Sequence, residues 1–310
     1  MGGKACYNDF RMFGLASAVA AFLIWALSGS LLLRSIPLPG PVVTWFGFAV
    51  GALFLGVTVA KRRARELRLA KERYLHKLLL VGIAFAGVSL CYQSAVKATT
   101  VANAILTHST QAVLTAAVFV PLFLRTRVPK TGFIAVVLGF LGLVILLAPQ
   151  LTWYGSFWGN SWGIILGLLS AVFYAWFNVQ VPAFKDALPQ DVILTFALGI
   201  SSLLLLPFAI LSWSPGLTID SVTVVKLIIF GLLNNMLGNI LYYYALRKRP
   251  VDQVTALSYL EPVIAIAAAA VFLGEPVKST AALGGAIILA SSAIAVFGEQ
   301  LPFLRKTANS

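Results

Sequence analysis

The sequence predicts an all-α polytopic membrane protein, ten transmembrane helices forming two inverted five-helix repeats around a central cavity. Three observations carry that expectation. First, the 310 residues are 60% hydrophobic and 11% charged, with a mean hydropathy of +0.92, which lies outside the range of soluble domains. Second, ten apolar stretches are each close to the ~20 residues needed to cross the hydrocarbon core of a bilayer. Third, sliding the sequence by 150 places Tyr92, Ala95 and Lys97 on Tyr242, Ala245 and Arg247, then Val101 on Val251, Asn103 on Gln253, Gln111 on Glu261 and Val113 on Val263 without a gap. A fixed offset of that length reads as duplication.

The elements follow in order. Residues 1–11 make a short polar start, and 12–33 the first span. This apolar run exceeds the ~7–15-residue core of a cleaved signal peptide, and it has a counterpart at 162–181, with Gly14 and Trp25 meeting Gly163 and Tyr174 at an offset of 149. Arg34 to Gly40 form a Pro-rich turn, and Pro39 meets Pro189 at 150. Span two (41–60) carries Gly47 and Gly51 at a spacing that lets helices approach closely. Residues 61–77 hold eight Lys or Arg against two Glu. Alone they resemble a nucleic-acid or anionic-lipid patch, but between two spans they suit a cytoplasmic loop, partly helical at the interface.

Spans three to five are 78–96, 100–124 and 132–148, and 149–161 is an uncharged aromatic linker suited to the extracytoplasmic interface. Spans six to ten are 162–181, 192–212, 224–246, 251–273 and 281–297, followed by a polar tail. The domains expected are therefore 1–148, a linker at 149–161, 162–298, and a cytoplasmic tail at 299–310. With the N-terminus cytoplasmic, 19 of the 23 Lys and Arg fall inside, and only Arg34, Lys97, Lys226 and Lys278 fall outside. That is the positive-inside pattern. It also sets nucleic acid aside as a partner, because the basic residues are spread over every inside loop. An odd number of spans per repeat inverts the second relative to the first, as in secondary transporters.

Several chemistries have no support. Cys6 and Cys91 offer neither a disulfide framework nor metal-ligand spacing. No HExxH, GxSxG or paired catalytic aspartates are present, so neither an enzyme nor a cofactor is expected.

Glu261 followed by Pro262, close to the middle of span nine, needs a reason, since an acid and a helix breaker at that depth are tolerated where a helix lines a cavity. The run Glu261-Pro262, then Phe272-Leu273-Gly274-Glu275-Pro276 and Leu283-Gly284-Gly285-Ala286, resembles the EamA-type branch of the drug/metabolite transporter superfamily. The first half departs from it, with Gln111-Ala112 and Arg125-Thr126 in the matching places. The resemblance implies a ten-helix basket whose spans 1, 3, 4, 6, 8 and 9 enclose a central site, with both termini cytoplasmic, in a bacterial inner membrane. It also implies export or exchange of small metabolites without nucleotide hydrolysis; aromatic and neutral amino-acid exporters of the YddG type belong to this branch.

Polar side chains inside apolar helices are the candidate substrate contacts. Span one offers Trp25 and Ser28; span three Ser89, Tyr92 and Gln93; span four Asn103, Thr107 and Gln111 on one face, with His108 and Thr110 beside them. Span six offers Tyr174 and Asn178, span eight Asn235, Asn239 and Tyr242 along one stripe with Asn234 flanking, and span nine Thr255, Ser258, Tyr259 and Glu261. Pro121 and Pro262 are expected to kink or gate. Each has a plainer role open to it: hydroxyls bond their own backbone, the amides and tyrosines join helices, His108 is a neutral core histidine, and Glu261 caps backbone freed by Pro262. Spans five and ten hold small residues (Gly139, Gly142; Ala282, Ala286, Ala290) that suit packing within the protein or between protomers.

No Lys or Arg lies at mid-span, which disfavours phosphorylated substrates. A small net-neutral solute, such as an amino acid, fits Asn, Gln, Tyr and Trp. The alternative is a proton-coupled efflux antiporter for cationic drugs, using Glu261 and cation–π contacts.

Overall fold

In the computed structural model the structure describes residues 2–28, 32, 35–151, 157–184, 187–214, 219–274 and 276–298. Arg34, Lys185, Glu275, residues 152–156 of the linker and the 299–310 tail lie outside them. Every regular element among the described residues is helical. Nine helices there are long and apolar enough to cross a membrane: Gly40–Arg62, Leu75–Ala98, Val101–Leu124, Lys130–Leu147, Ser161–Phe184, Gln190–Leu211, Ser221–Lys248, Val251–Phe272 and Ser279–Phe297. A shorter apolar helix, Met12–Leu27, occupies span one. The chain is a multi-pass membrane protein.

Two boundaries differ from the sequence reading. The first helix runs Gly2–Leu27, so residues expected as a polar start are helical, there being no Pro before residue 37 to stop it. The linker is shorter than 149–161 because the sixth helix begins at Phe157. The basic loop folds as Ala64–Arg73, with Leu67, Leu69 and Ala70 packed against the core and Arg65, Arg68, Lys71 and Arg73 exposed. That is the side-chain division of an interfacial helix.

Span one packs on span eight, three on six, two on seven and five on ten. Exchanging the halves (one for six, two for seven, and so on) turns this set of contacts into itself. The glycines repeat it at atomic scale. A Cβ on Gly14 would come within 3.0 Å of Arg249 Cγ, and one on Gly163 within 2.6 Å of Thr99 Cβ, where Gly163 and Thr99 are the positions matching Gly14 and Arg249. The small residues of spans five and ten serve each other: a Cβ on Gly142 would lie 2.9 Å from the Gly284 carbonyl, and Ser291 Oγ donates to the Ala135 carbonyl at 2.8 Å.

The basic loops gather at one end of the bundle. There Arg63 Nε meets Asp191 Oδ2 at 2.7 Å, and Arg247 Nη1 donates to the Leu188 carbonyl at 2.7 Å. The Arg63–Asp191 pair is partly solvated, so it adds no more than ~1 kcal/mol; its use is to pin the interfacial helix to span seven. At the other, nearly neutral end Lys226 Nζ donates to the Ser35 carbonyl at 3.0 Å.

Spans four and nine are broken at equivalent places. Span four is Val101–Ser109 followed by Gln111–Leu114, and span nine is Val251–Leu257 followed by Leu260–Leu273. In each break a hydroxyl turns back onto the carbonyl three residues earlier: Thr110 onto Thr107 at 2.7 Å, Ser258 onto Thr255 at 2.7 Å. Pro262 cannot donate to the Ser258 carbonyl. The Glu261 N–H does so instead, at 3.1 Å, which leaves the Glu261 carboxylate free of the capping role. Two wider π-helical stretches follow the same logic. Thr115–Leu124 contains Pro121, and its wider turn relieves the ring's clash with the preceding turn; Gly231–Gly238 interrupts span eight.

Candidate functional site

A chain of hydrogen bonds, all running one way, ties spans eight, six, four and nine together at mid-depth. Tyr242 Oη donates to Asn178 Oδ1 at 2.8 Å, Asn178 Nδ2 to Gln111 Oε1 at 2.8 Å, Gln111 Nε2 to Ser258 Oγ at 3.1 Å, and Ser258 Oγ to the Thr255 carbonyl. Thr115 Oγ1 donates to the Gln111 carbonyl at 2.6 Å and lies 3.4 Å from Asn178 Nδ2. Tyr242, Asn178, Gln111 and Thr115 are buried. Polar groups at this depth must find partners inside the protein, and removing one member would strand two others at ~1–3 kcal/mol each. The chain is a floor. Toward the basic end, rings continue it: Phe85 stacks on Phe177 at 5.1 Å, and Phe177 lies 5.4 Å from Tyr243.

On the other side of this floor lies an aromatic recess. The His108 ring sits between Tyr92, with centroids 4.7 Å apart, and Tyr174, at 5.4 Å and nearly parallel. Its Nδ1 is 2.8 Å from Ser170 Oγ, and Ser170 gives its single proton to the Val88 carbonyl at 3.0 Å. Ser170 can therefore only accept from His108. That places the ring proton on Nδ1 and leaves Nε2 as an acceptor. Tyr174 and Trp25 both lie against the Tyr242 ring, at 6.2 and 5.2 Å. The Trp25 indole N–H is already spent on the Asn234 carbonyl, at 2.9 Å.

Glu261 enters the same recess. His108 precedes Gln111 by three residues and Glu261 follows Ser258 by three; spans four and nine run in opposite directions, so both side chains stand on the same side of the Gln111–Ser258 bond. The carboxylate is half-buried and accepts no hydrogen bond among the described residues. Tyr92, Tyr174 and Tyr242 are within its electrostatic reach.

The candidate residues thus divide. Trp25, Tyr92, Thr107, His108, Tyr174, Ser258 and Glu261 are half-buried, and all but Thr107 and Ser258 bring an aromatic face or a charge to the recess. Gln111, Asn178 and Tyr242 form the floor. Asn103 donates to Thr99 Oγ1 at 3.2 Å, and Thr107 to the Asn103 carbonyl at 2.8 Å. Asn239 donates to the Asn235 carbonyl at 3.0 Å. Asn235 leaves the expected stripe because the π-helical stretch turns it toward span two, where it packs on Gly47. The Tyr259 ring is buried against Gly139 and Ser291, and its hydroxyl donates to the Ser109 carbonyl at 3.4 Å. Pro262 sits at the break in span nine, and Pro121 lies beyond the floor.

Two contributors were missed. Ser170 fixes His108, and Thr115 supports Asn178; Ser170 stands four and eight residues before Tyr174 and Asn178, a spacing that already put it on their face. Among the described residues no three His, Cys, Asp or Glu converge as a metal site. A separate cleft of about 200 Å³ lies between spans two, three and seven, lined by Thr44, Gln93, Ser94, Lys97 and Phe208.

Residues 161–297 match the EamA-like transporter family. An uncharacterized transporter of Archaeoglobus fulgidus is 26% identical over 229 residues, 72% of this chain and 77% of that protein. A probable amino-acid metabolite efflux pump of Salmonella typhimurium is 26% identical over 191 residues, 59% of this chain and 62% of the pump. An uncharacterized transporter of Clostridium kluyveri is 24% identical over 295 residues, 92% of each chain. One crystal structure superposes with a TM-score of 0.78 over 92% of this chain and 97% of its own, at 19% identity, a likeness of fold.

Proposed function

We propose that this protein, whose residues 161–297 carry an EamA-like transporter domain, is a secondary transporter that exports or exchanges small neutral metabolites. Amino acids, including the aromatic ones carried by YddG-type exporters, are its substrates. It works by alternating access between two inverted repeats, residues 1–148 and 162–298, joined by the linker at 149–161. It resides in a bacterial inner membrane with both termini, and hence the basic end of the bundle, in the cytoplasm.

The single observation that carries this reading is the recess itself: half-buried aromatic rings and one carboxylate, above a floor whose polar groups are paired. Rings of Tyr and Trp suit an amphiphilic solute of modest size. The absence of mid-span cations fits a substrate without phosphate. The relative named as an amino-acid metabolite efflux pump points the same way. Transport without nucleotide hydrolysis accords with a chain that carries no nucleotide-binding motif.

Glu261 favours a second reading, proton-coupled efflux of cationic drugs, because an acid without a hydrogen-bond partner inside a membrane is a ready proton carrier. Uptake of radiolabelled amino acids into liposomes holding the purified protein, with and without a pH gradient, separates the two. Saturable amino-acid flux indifferent to the gradient supports the first. Drug flux that needs the gradient and is abolished by Glu261→Gln supports the second, and no flux of any amino acid removes the first.

A further inference from the structure

We infer that the recess reads the ammonium end of its solute, held by the Glu261 carboxylate and His108 Nε2, and that the solute's own carboxylate is dispensable. This rests on the transport reading above and narrows its substrate class to primary amines, amino acids being one kind.

Donors and acceptors around the recess are unevenly matched. A carboxylate in a membrane protein needs a cation or several N–H groups converging on it. Most of the strong donors around this recess are already committed. The indole of Trp25 donates to the Asn234 carbonyl, His108 Nδ1–H to Ser170, and the Gln111 and Asn178 amides to members of the floor. The Ser258 and Thr107 hydroxyls give their protons to backbone carbonyls. Asn234 Nδ2 donates to Ser28 Oγ at 2.7 Å. Of the groups left open among the described residues, the Tyr92 hydroxyl can turn either way, whereas an ionised Glu261 and His108 Nε2 can only accept; the Tyr174 hydroxyl is bonded to that of Tyr242. Among the described residues Glu261 brings the recess its one carboxyl group.

An ammonium group finds the opposite situation. It has three protons to donate, and a carboxylate and one imidazole nitrogen to accept them. The arrangement also explains why Ser170 matters: by holding the proton on Nδ1 it keeps Nε2 an acceptor, so a cation meets no competing donor.

The test is competition against radiolabelled phenylalanine bound to the purified protein, using three unlabelled probes: phenylalanine, phenethylamine, which lacks the carboxylate, and N-acetylphenylalanine, which lacks the ammonium. Phenethylamine should compete within about threefold of phenylalanine, and N-acetylphenylalanine at least about tenfold more weakly, a difference of ~1.4 kcal/mol. Glu261→Gln should weaken phenylalanine and phenethylamine alike by about tenfold or more, with thermal unfolding run alongside to show that the variant folds. N-acetylphenylalanine matching phenylalanine, or phenethylamine failing to compete, overturns the inference and leaves amino-acid transport standing. If labelled phenethylamine binds where phenylalanine does not, the amino-acid reading fails and the ammonium reading holds. Binding of none of the three removes both.

Discussion

Residues 101–107 and 251–257 open the two discontinuous spans and correspond at the 150-residue offset, yet they are treated differently. Val251–Leu257 is buried at every position. In Val101–Thr107, Val101 is 55% exposed, and Ile105 and Thr107 are half-buried. The first segment begins at the nearly neutral end and the second at the basic end. Among the described residues the two equivalent slots are thus packed unequally, more tightly at the basic end, where the floor from Tyr242 to Ser258 is backed by Phe177 and Tyr243. Under the alternating-access reading proposed above, this is a state closed at the basic end, and a second state has the burial reversed.

Cutting the floor is the strongest way to break this asymmetry. Asn178→Leu leaves the Tyr242 hydroxyl proton without its acceptor and Gln111 Oε1 without its donor in the core, and should cost ~2–4 kcal/mol. Thermal unfolding in detergent should show a lower Tm with the bundle still cooperative. An unchanged Tm would mean that the chain of bonds does not hold the spans together.

A smaller effect sharpens the comparison directly. In a background with Cys6 and Cys91 replaced by Ser, Thr107→Cys should react with a water-soluble maleimide at least about tenfold faster than Leu257→Cys, the scale of a local-opening difference of ~1.4 kcal/mol. Equal rates would show the two slots equally accessible and remove the inference of a closed basic end.

The smallest effect concerns how the spans start. Span eight is capped at its neutral end by Asp220, whose Oδ1 accepts the Thr223 N–H at 2.9 Å. The bonds from Thr223, side chain first and then backbone, hold its carboxyl below the usual carboxylate range. A depressed folded pKa stabilises the protein above the unfolded value of about 4 and is lost as pH falls through the folded one. Asp220→Ala should therefore lower Tm slightly at pH 7, and the gap from wild type should close as the buffer is taken below about pH 3. A gap independent of pH would show that the carboxylate charge contributes nothing.

Much of this was legible in the chain itself. Hydropathy, Lys and Arg placement and the 150-residue offset settle that the protein spans a membrane many times, because lipid leaves little choice about where apolar and charged residues go. The signature around Glu261-Pro262 falls in the segment that matches the EamA-like transporter family. The candidate residues were also found as a set, since polar groups in apolar helices are few. Which of them face a solute could not be read. Asn178, Gln111 and Tyr242 looked as available as Tyr92 or His108 until their mutual bonds, 64 and 67 residues apart in the chain, were seen.

The sequence by itself determined the solvent of each helix and the inventory of its polar groups, because transfer to lipid depends on composition and length alone. Only the tertiary structure decided which groups consume one another, why Asn235 turns toward span two, which nitrogen of His108 holds the proton, and that Glu261 stands within electrostatic reach of Tyr92, Tyr174 and Tyr242. Those outcomes depend on the rotation and register of helices against neighbours far along the chain. A break at Ser258 or a π-helical stretch at Gly231–Gly238 resets both in ways that a period of 3.6 residues does not contain.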